Sequence, residues 1–139
     1  MVKINEQEVD LELPVTEYPD IDLSKKQLKP YEELWDLIRD SQKYIVQQWK
    51  SNPITSLVPD DVEREHKRMM GLANRLQGVF ERDKITKPKE LAKTELEKIK
   101  NFRRFLPVIR ALCTEGMEER HLEKISEIIE VKWTGTETL

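Results

Sequence analysis

The chain has a single cysteine, Cys113, and only four glycines in 139 residues. One thiol excludes an internal disulfide framework and fits a reducing compartment. The scattered glycines exclude a phosphate-cradling loop, since none precedes a Lys-Ser/Thr pair and no buried strand leads into a helix. There is no run of about 18 apolar residues, so no membrane span is expected. The N-terminus, Met1 to Glu8, turns acidic too early for a secretory signal. Neither sign of charge dominates: 24 basic and 27 acidic residues intermix to a net -3, which favours capture of neither nucleic acid nor an anionic membrane. Cys-x-x-Cys, His-Glu-x-x-His and acidic calcium-loop patterns are all missing. His66 and Cys113 could meet in space, but two ligands make no metal site. The apolar helical setting of Cys113 predicts a buried, inert thiol. The expected result is a cytoplasmic protein with no catalytic, cofactor-binding or metal site.

What the chain does have is charge, 37% of residues, and helical periodicity. Pro30 suits the first turn of a helix, where its missing N–H is unpaired anyway. From there Tyr31, Leu34, Trp35, Ile38, Ile45 and Trp49 recur at helical spacing, with polar Gln42 interrupting the stripe midway between the two tryptophans. Trp35 and Trp49 read as core or interface aromatics. A second helix is predicted from about Asp60 to Arg82, with Val62, Met69, Ala73, Leu76 and Phe80 inside. Within it Gly71 and Gly78 read first as allowing close approach of a neighbouring helix, and second as a bend point.

A third stripe, Leu91, Ala92, Leu96, Ile99, Phe102 and Leu106, leads into Pro107, where the helix must kink or restart. Val108, Ile109 and Leu112 continue it as far as Gly116, a natural helix stop. The last helix, from Met117 to about Glu130, is expected to bury Met117, His121, Leu122, Ile125, Ile128 and Ile129. Phe102, Leu106, Ile109 and Ile125 are expected to form one cluster. Arg120-His121 has a local reading and a sharper one. Locally, the histidine bonds nearby and the arginine ties a carboxylate across the turn. In the sharper reading, the pair sets the angle between the kinked helix and the last one.

Upstream, Val9-Asp10-Leu11-Glu12-Leu13 alternates apolar and acidic residues, the pattern of a short strand or extended segment. The whole reads as all-α: an elongated antiparallel bundle of about four long helices with an extended N-terminal arm and a Pro-kinked third helix. The arm would cover residues 1–27, the bundle 28–130, and a loose tail 131–139.

An ordered set of short motifs then carries a family resemblance. Leu28-Lys29-Pro30-Tyr31-Glu32-Glu33-Leu34-Trp35, Trp49, Lys98-Ile99-x-x-Phe102, Leu106-Pro107-Val108-Ile109-x-x-Leu112 and Gly116-Met117-x-x-Arg120-His121 with Ile125-Ser126 resemble the linker region of dynein heavy chains. The likeness runs from about Leu11 to Ile129 and is closest to axonemal chains. Departures are Leu122 where the family usually has tryptophan, Glu118 where it has a basic residue, and Glu130 where it has glycine. The resemblance implies a non-catalytic stack of helices lying across a ring of AAA-type ATPase modules. That stack would swing to deliver a microtubule-based power stroke, on the cytoskeleton and in cilia or axonemes. Its partners would be the ring and the remainder of the heavy chain, with microtubules reached only indirectly. The alternative is an unrelated helical adaptor that binds partner helices.

Overall fold

The computed structural model describes residues 2–114 and 116–130. Helices α1 (Val2–Asp10), α2 (Pro19–Ser41), α3 (Pro59–Arg82), α4 (Thr86–Phe102), α5 (Leu106–Leu112) and α6 (Glu119–Ile129) carry most of it. A π-helical segment, Gln42–Trp49, follows α2 directly, and 3-10 turns occupy Ile54–Ser56 and Arg103–Phe105. The protein is all-α, with no strand among the described residues. The chain divides into two compact units, Met1–Pro30 and Tyr31–Leu139.

The first unit corrects the expected extended arm. Val9 and Asp10 end α1, and only residues 13–18 lack regular structure. Five alternating residues are too few to decide between strand and helix when no partner strand exists. At Glu12 the backbone turns left-handed (φ 56), and Leu13 N–H returns to the Glu8 carbonyl. The Glu8 carboxylate then accepts from the Thr16 hydroxyl at 2.6 Å and the Thr16 N–H at 2.8 Å. These two bonds hold the Glu8 carboxyl below its ordinary range, the hydroxyl contributing most. Helix α2 begins at Pro19 rather than Pro30, with Asp20 and Asp22 favourable in its first turn. Pro30 therefore lies inside a helix, at the boundary between the two units.

In the second unit, ordered pairs of contacts fix the helix directions. Tyr31 meets Phe80 (5.4 Å between ring centres), Glu33 meets Arg75 at 2.9 Å and Asp40 meets Arg68 at 2.6 Å. Residue numbers rise on α2 as they fall on α3, so the two are antiparallel. Helices α3 and α4 form a hairpin closed by Lys89–Glu81 at 2.6 Å near its turn and by His66 and Ile99 further along. Ser41–Glu95 and Trp49–Phe102 rise together, so the α2–π rod runs parallel to α4.

The core between them consists of Leu34, Leu37, Ile45, Trp49, Val62, Met69, Ala73, Leu76, Phe80, Ala92, Leu96, Ile99, Phe102 and Ile109. The π segment has a reason in this list. Ser41, Ile45 and Trp49 are buried at intervals of four. An α-helix rotates such a series by about 40° per step, and the wider i→i+5 turn, with less rotation per residue, brings the series back toward the core face.

The core reading of Trp35 and the close-approach reading of the two glycines fail here. Trp35 stands 67% exposed, because it lies about 100° around the helix from buried Leu34. Gly71 and Gly78 are exposed, and a β-carbon at either would meet nothing within 4 Å, so no neighbouring helix approaches them. Gly71→Ala and Gly78→Ala should therefore each raise stability by about 1 kcal/mol, the helix-propensity difference alone. A rise in the urea midpoint checks this, and a fall would mean an unseen close neighbour.

Candidate functional site: the helix break before Pro107

Pro107 has no N–H to give to the carbonyl of Arg103, and its ring would crowd that carbonyl in a continuous α-helix. The chain tightens instead. Arg103 N–H bonds to Lys100 O and Leu106 N–H to Arg103 O, both three residues back. Helix α5 then restarts at Leu106 with Pro107 in its first turn.

The tightening has a cost in hydrogen bonds. An α-helical Arg103 N–H would have bonded to Ile99 O, which is now left over inside the core. His66, 5% exposed on α3, fills the vacancy: its Nε2 lies 2.9 Å from Ile99 O. A carbonyl can only accept, so Nε2 is the nitrogen that carries the proton. A buried carbonyl without a partner costs about 1–3 kcal/mol, which this bond avoids.

Around this point the aromatic rings converge. Phe102, the last residue of α4, lies 4.9 Å from Trp49, 5.5 Å from Phe105 and 6.4 Å from His66, centre to centre. Tyr44 extends the group at 5.6 Å from Trp49. Helix α5 is fastened back onto the N-terminal part of α3, where Arg110 reaches Glu63 at 2.8 Å and Asp60 at 3.0 Å. Beside it, the Cys113 thiol donates to Ile54 O at 2.9 Å. Burial pushes that thiol's pKa up, which suppresses the reactive thiolate. Cys113 is half-buried rather than fully enclosed.

About two turns before the break, Glu95 (4% exposed) accepts from Ser41 Oγ at 2.6 Å and from Lys98 Nζ at 2.6 Å. The Ser41 hydroxyl has a second acceptor, Ile38 O, at 3.0 Å. The Ser41–Glu95 bond joins α4 to α2 at the residue where α2 passes into the π segment. The arrangement is a helix joint locked by hydrogen bonds and packed rings, with its polar groups directed at one another.

A family model described as "Dynein heavy chain, N-terminal region 2" matches residues 21–139. The chain belongs to this family. Dynein axonemal heavy chain 3 of Homo sapiens is 28% identical over 135 residues, covering 97% of this chain and 3% of that protein. Dynein axonemal heavy chain 1 of Mus musculus is 26% identical over 120 residues, 86% of this chain and 3% of that one. Dynein axonemal heavy chain 2 of Mus musculus is 27% identical over 120 residues, 86% of this chain and 2% of that one. The chain therefore spans about 3% of the length of the first of these relatives. No solved structure matches it.

Within this dynein heavy-chain segment, the motif residues distribute unevenly. Leu34, Trp49, Phe102 and Ile109 are in the core, while Tyr31 and Leu106 are half-buried against it. Leu112 is half-buried, Pro30 likewise, and Pro107 is exposed. Ile125 is not packed on the Phe102 cluster but lines a cleft between α5 and α6 with Met117 and His121. Gly116, at φ 91, makes the left-handed turn between those helices.

His121 and Glu118 form a capping box in which Glu118 N–H donates to His121 Nδ1 at 3.0 Å. Arg120 pairs with Glu118 at 2.9 Å, inside the same turn, so the bonds given for the Arg-His pair are local, as in the first reading. Ile128 is 81% exposed, against its expected burial, and the α6 residues that line the cleft end at Ile125. The Ile129 side chain and the tail 131–139 lie outside the described residues. His66, Glu95, Ser41 and Arg110, which hold the joint together, were not singled out by the sequence motifs.

Proposed function

We propose that the chain is a non-catalytic mechanical segment of a dynein heavy-chain linker. In the parent motor it would transmit force while the linker swings across the AAA-type ATPase ring toward a microtubule-based power stroke. The observation that carries this is the family match over residues 21–139, together with the three axonemal relatives. The joint at Pro107 supports it physically. A force-bearing rod must change direction without leaving backbone groups unpaired, and here His66 and Arg110 close the break on either side. The partners on this reading are the remainder of the heavy chain and its ATPase ring, and the location is the cytoskeleton of a cilium or axoneme. Helices this charged and tied to one another by ion pairs and buried hydrogen bonds suit transmission of force.

A second reading, a helical adaptor, draws on Trp35, a large aromatic that solvent reaches freely. A graft separates the two. In an axonemal heavy chain 3 motor, the aligned segment is replaced either by this chain or by a Gly-Ser linker of equal length. The expected result is ATP-driven microtubule gliding with the first and ATP hydrolysis without gliding for the second. Equal gliding with both would overturn the mechanical reading. ATP turnover by the purified chain alone would overturn its non-catalytic character.

A further inference from the structure

Residues 4–22 carry seven acidic side chains and no basic one. Among the described residues, only Asp22 of this stretch meets a basic group, Lys25 at 3.7 Å, with both side chains mostly in solvent. The first unit also holds eight of the fourteen large apolar side chains that stand exposed, and none of residues 3–30 is buried. Apolar surface gathered in this way marks an interaction site. Charge is interleaved with it: Val9, Leu11, Leu13 and Val15 are 49–69% exposed, with Asp10 and Glu12 between the first three. The group has a fixed backing, because the Thr16 bonds to Glu8 and the return of Leu13 N–H to Glu8 O close residues 8–16 into a loop. Beside the loop, a cleft of about 460 Å³ is lined, among the described residues, by Asn5, Glu6, Val9 and Asp10. Asn5 Oδ1 is shielded from solvent yet has no donor, and the carboxylates of Glu6 and Asp10 can only accept.

We propose that the loop Val9–Thr16, with the cleft beside it, is a docking surface for a lysine- or arginine-rich amphipathic helix of another polypeptide. The apolar side of that helix covers Val9, Leu11, Leu13 and Val15, and its cations meet Glu6, Asp10 and Glu12. Charge decides the class of partner. An anionic lipid surface or a nucleic acid is repelled by the acidic stretch. A neutral apolar partner would cover the leucines but strip water from carboxylates that it cannot pair. A second copy brings the same acidic loop, and like charges across a contact oppose it. A basic amphipathic helix supplies apolar anchors and cations at the same spacing. The closed loop holds its apolar residues in place beforehand, which lowers the ordering cost of binding.

The test titrates the full chain into a fluorescent peptide of lysine and leucine at amphipathic helical spacing and follows anisotropy. Saturable binding is expected, at least about ten-fold tighter than that of a shuffled peptide of the same composition. Leu11→Ser with Leu13→Ser should weaken it about ten-fold, through lost apolar cover. Asp10→Asn with Glu12→Gln should weaken it several-fold and flatten its dependence on salt. All four positions are exposed, so neither pair threatens the fold, and an unchanged circular dichroism spectrum checks this. Absent binding, equal affinity for the shuffled peptide, or an affinity that either pair leaves unchanged would overturn the proposal. So would self-association of the chain that the leucine pair abolishes, which would make a second copy the occupant. Flotation with neutral phosphatidylcholine vesicles, lost in the same variant, would overturn it in favour of a lipid surface.

Discussion

Phe102→Ala is expected to destabilise the second unit by about 3–5 kcal/mol. The ring is 1% exposed and touches Trp49, Phe105 and His66, which come from three different elements. The size of such a loss depends on how far the surroundings can collapse into the space left behind. Here they can move little, because the end of α4 is tied by the His66–Ile99 bond and α5 is tied to α3 through Arg110. A domain of this size has roughly 5–15 kcal/mol in total, so the variant would lose a large part of its folded population. Urea unfolding followed by far-ultraviolet circular dichroism measures it. A loss under about 1 kcal/mol would mean that the ring is not part of a packed core.

The second large effect concerns Glu95. Ser41→Ala removes a buried donor to this carboxylate and should cost about 1.5–3 kcal/mol, the range for a hydrogen bond to a charged group. Lys98→Ala removes a partner at the same 2.6 Å distance, yet should cost less than about 1 kcal/mol, because the lysine side chain is 60% exposed and water replaces it. Equal distances thus predict unequal losses. The same unfolding measurement on both variants decides it, and equal losses would contradict the assignment of Glu95 to the interior.

Much of the second unit could be read from the sequence, because α3 and α4 carry regular stripes. On α3, Val62, His66, Met69, Ala73, Leu76 and Phe80 fall at alternating intervals of four and three. Reading only the apolar members of that series left out His66, although its spacing placed it inside. Glu95 was overlooked for the same reason, since Ala92, Glu95, Ile99 and Phe102 keep the heptad rhythm. A polar residue exactly in phase with a buried stripe was the available signal for both.

Trp35 shows the opposite error: its apolar size suggested burial, while its angle from Leu34 put it on the surface. The π segment could not be anticipated from an α-helical period, because the buried series changes its interval at Ser41. In the N-terminal unit the pattern was too short to resolve, and the cap at Glu12 depends on a bond from Thr16 eight residues away from Glu8. Leu122, Ile125 and Ile128 all belong to the apolar stripe of α6, but how much of a helix is covered depends on what is set beside it.

The vacancy left at Ile99 ties together two positions that are far apart in sequence and never touch. Were Pro107 to give way to a residue with an N–H, the helix could run on, Arg103 would reclaim the Ile99 carbonyl, and the imidazole of His66 would be stranded among hydrocarbon. Were His66 lost first, the proline would be left holding open a break that nothing answers. The demands on positions 66 and 107 are therefore coupled through a carbonyl oxygen that belongs to neither.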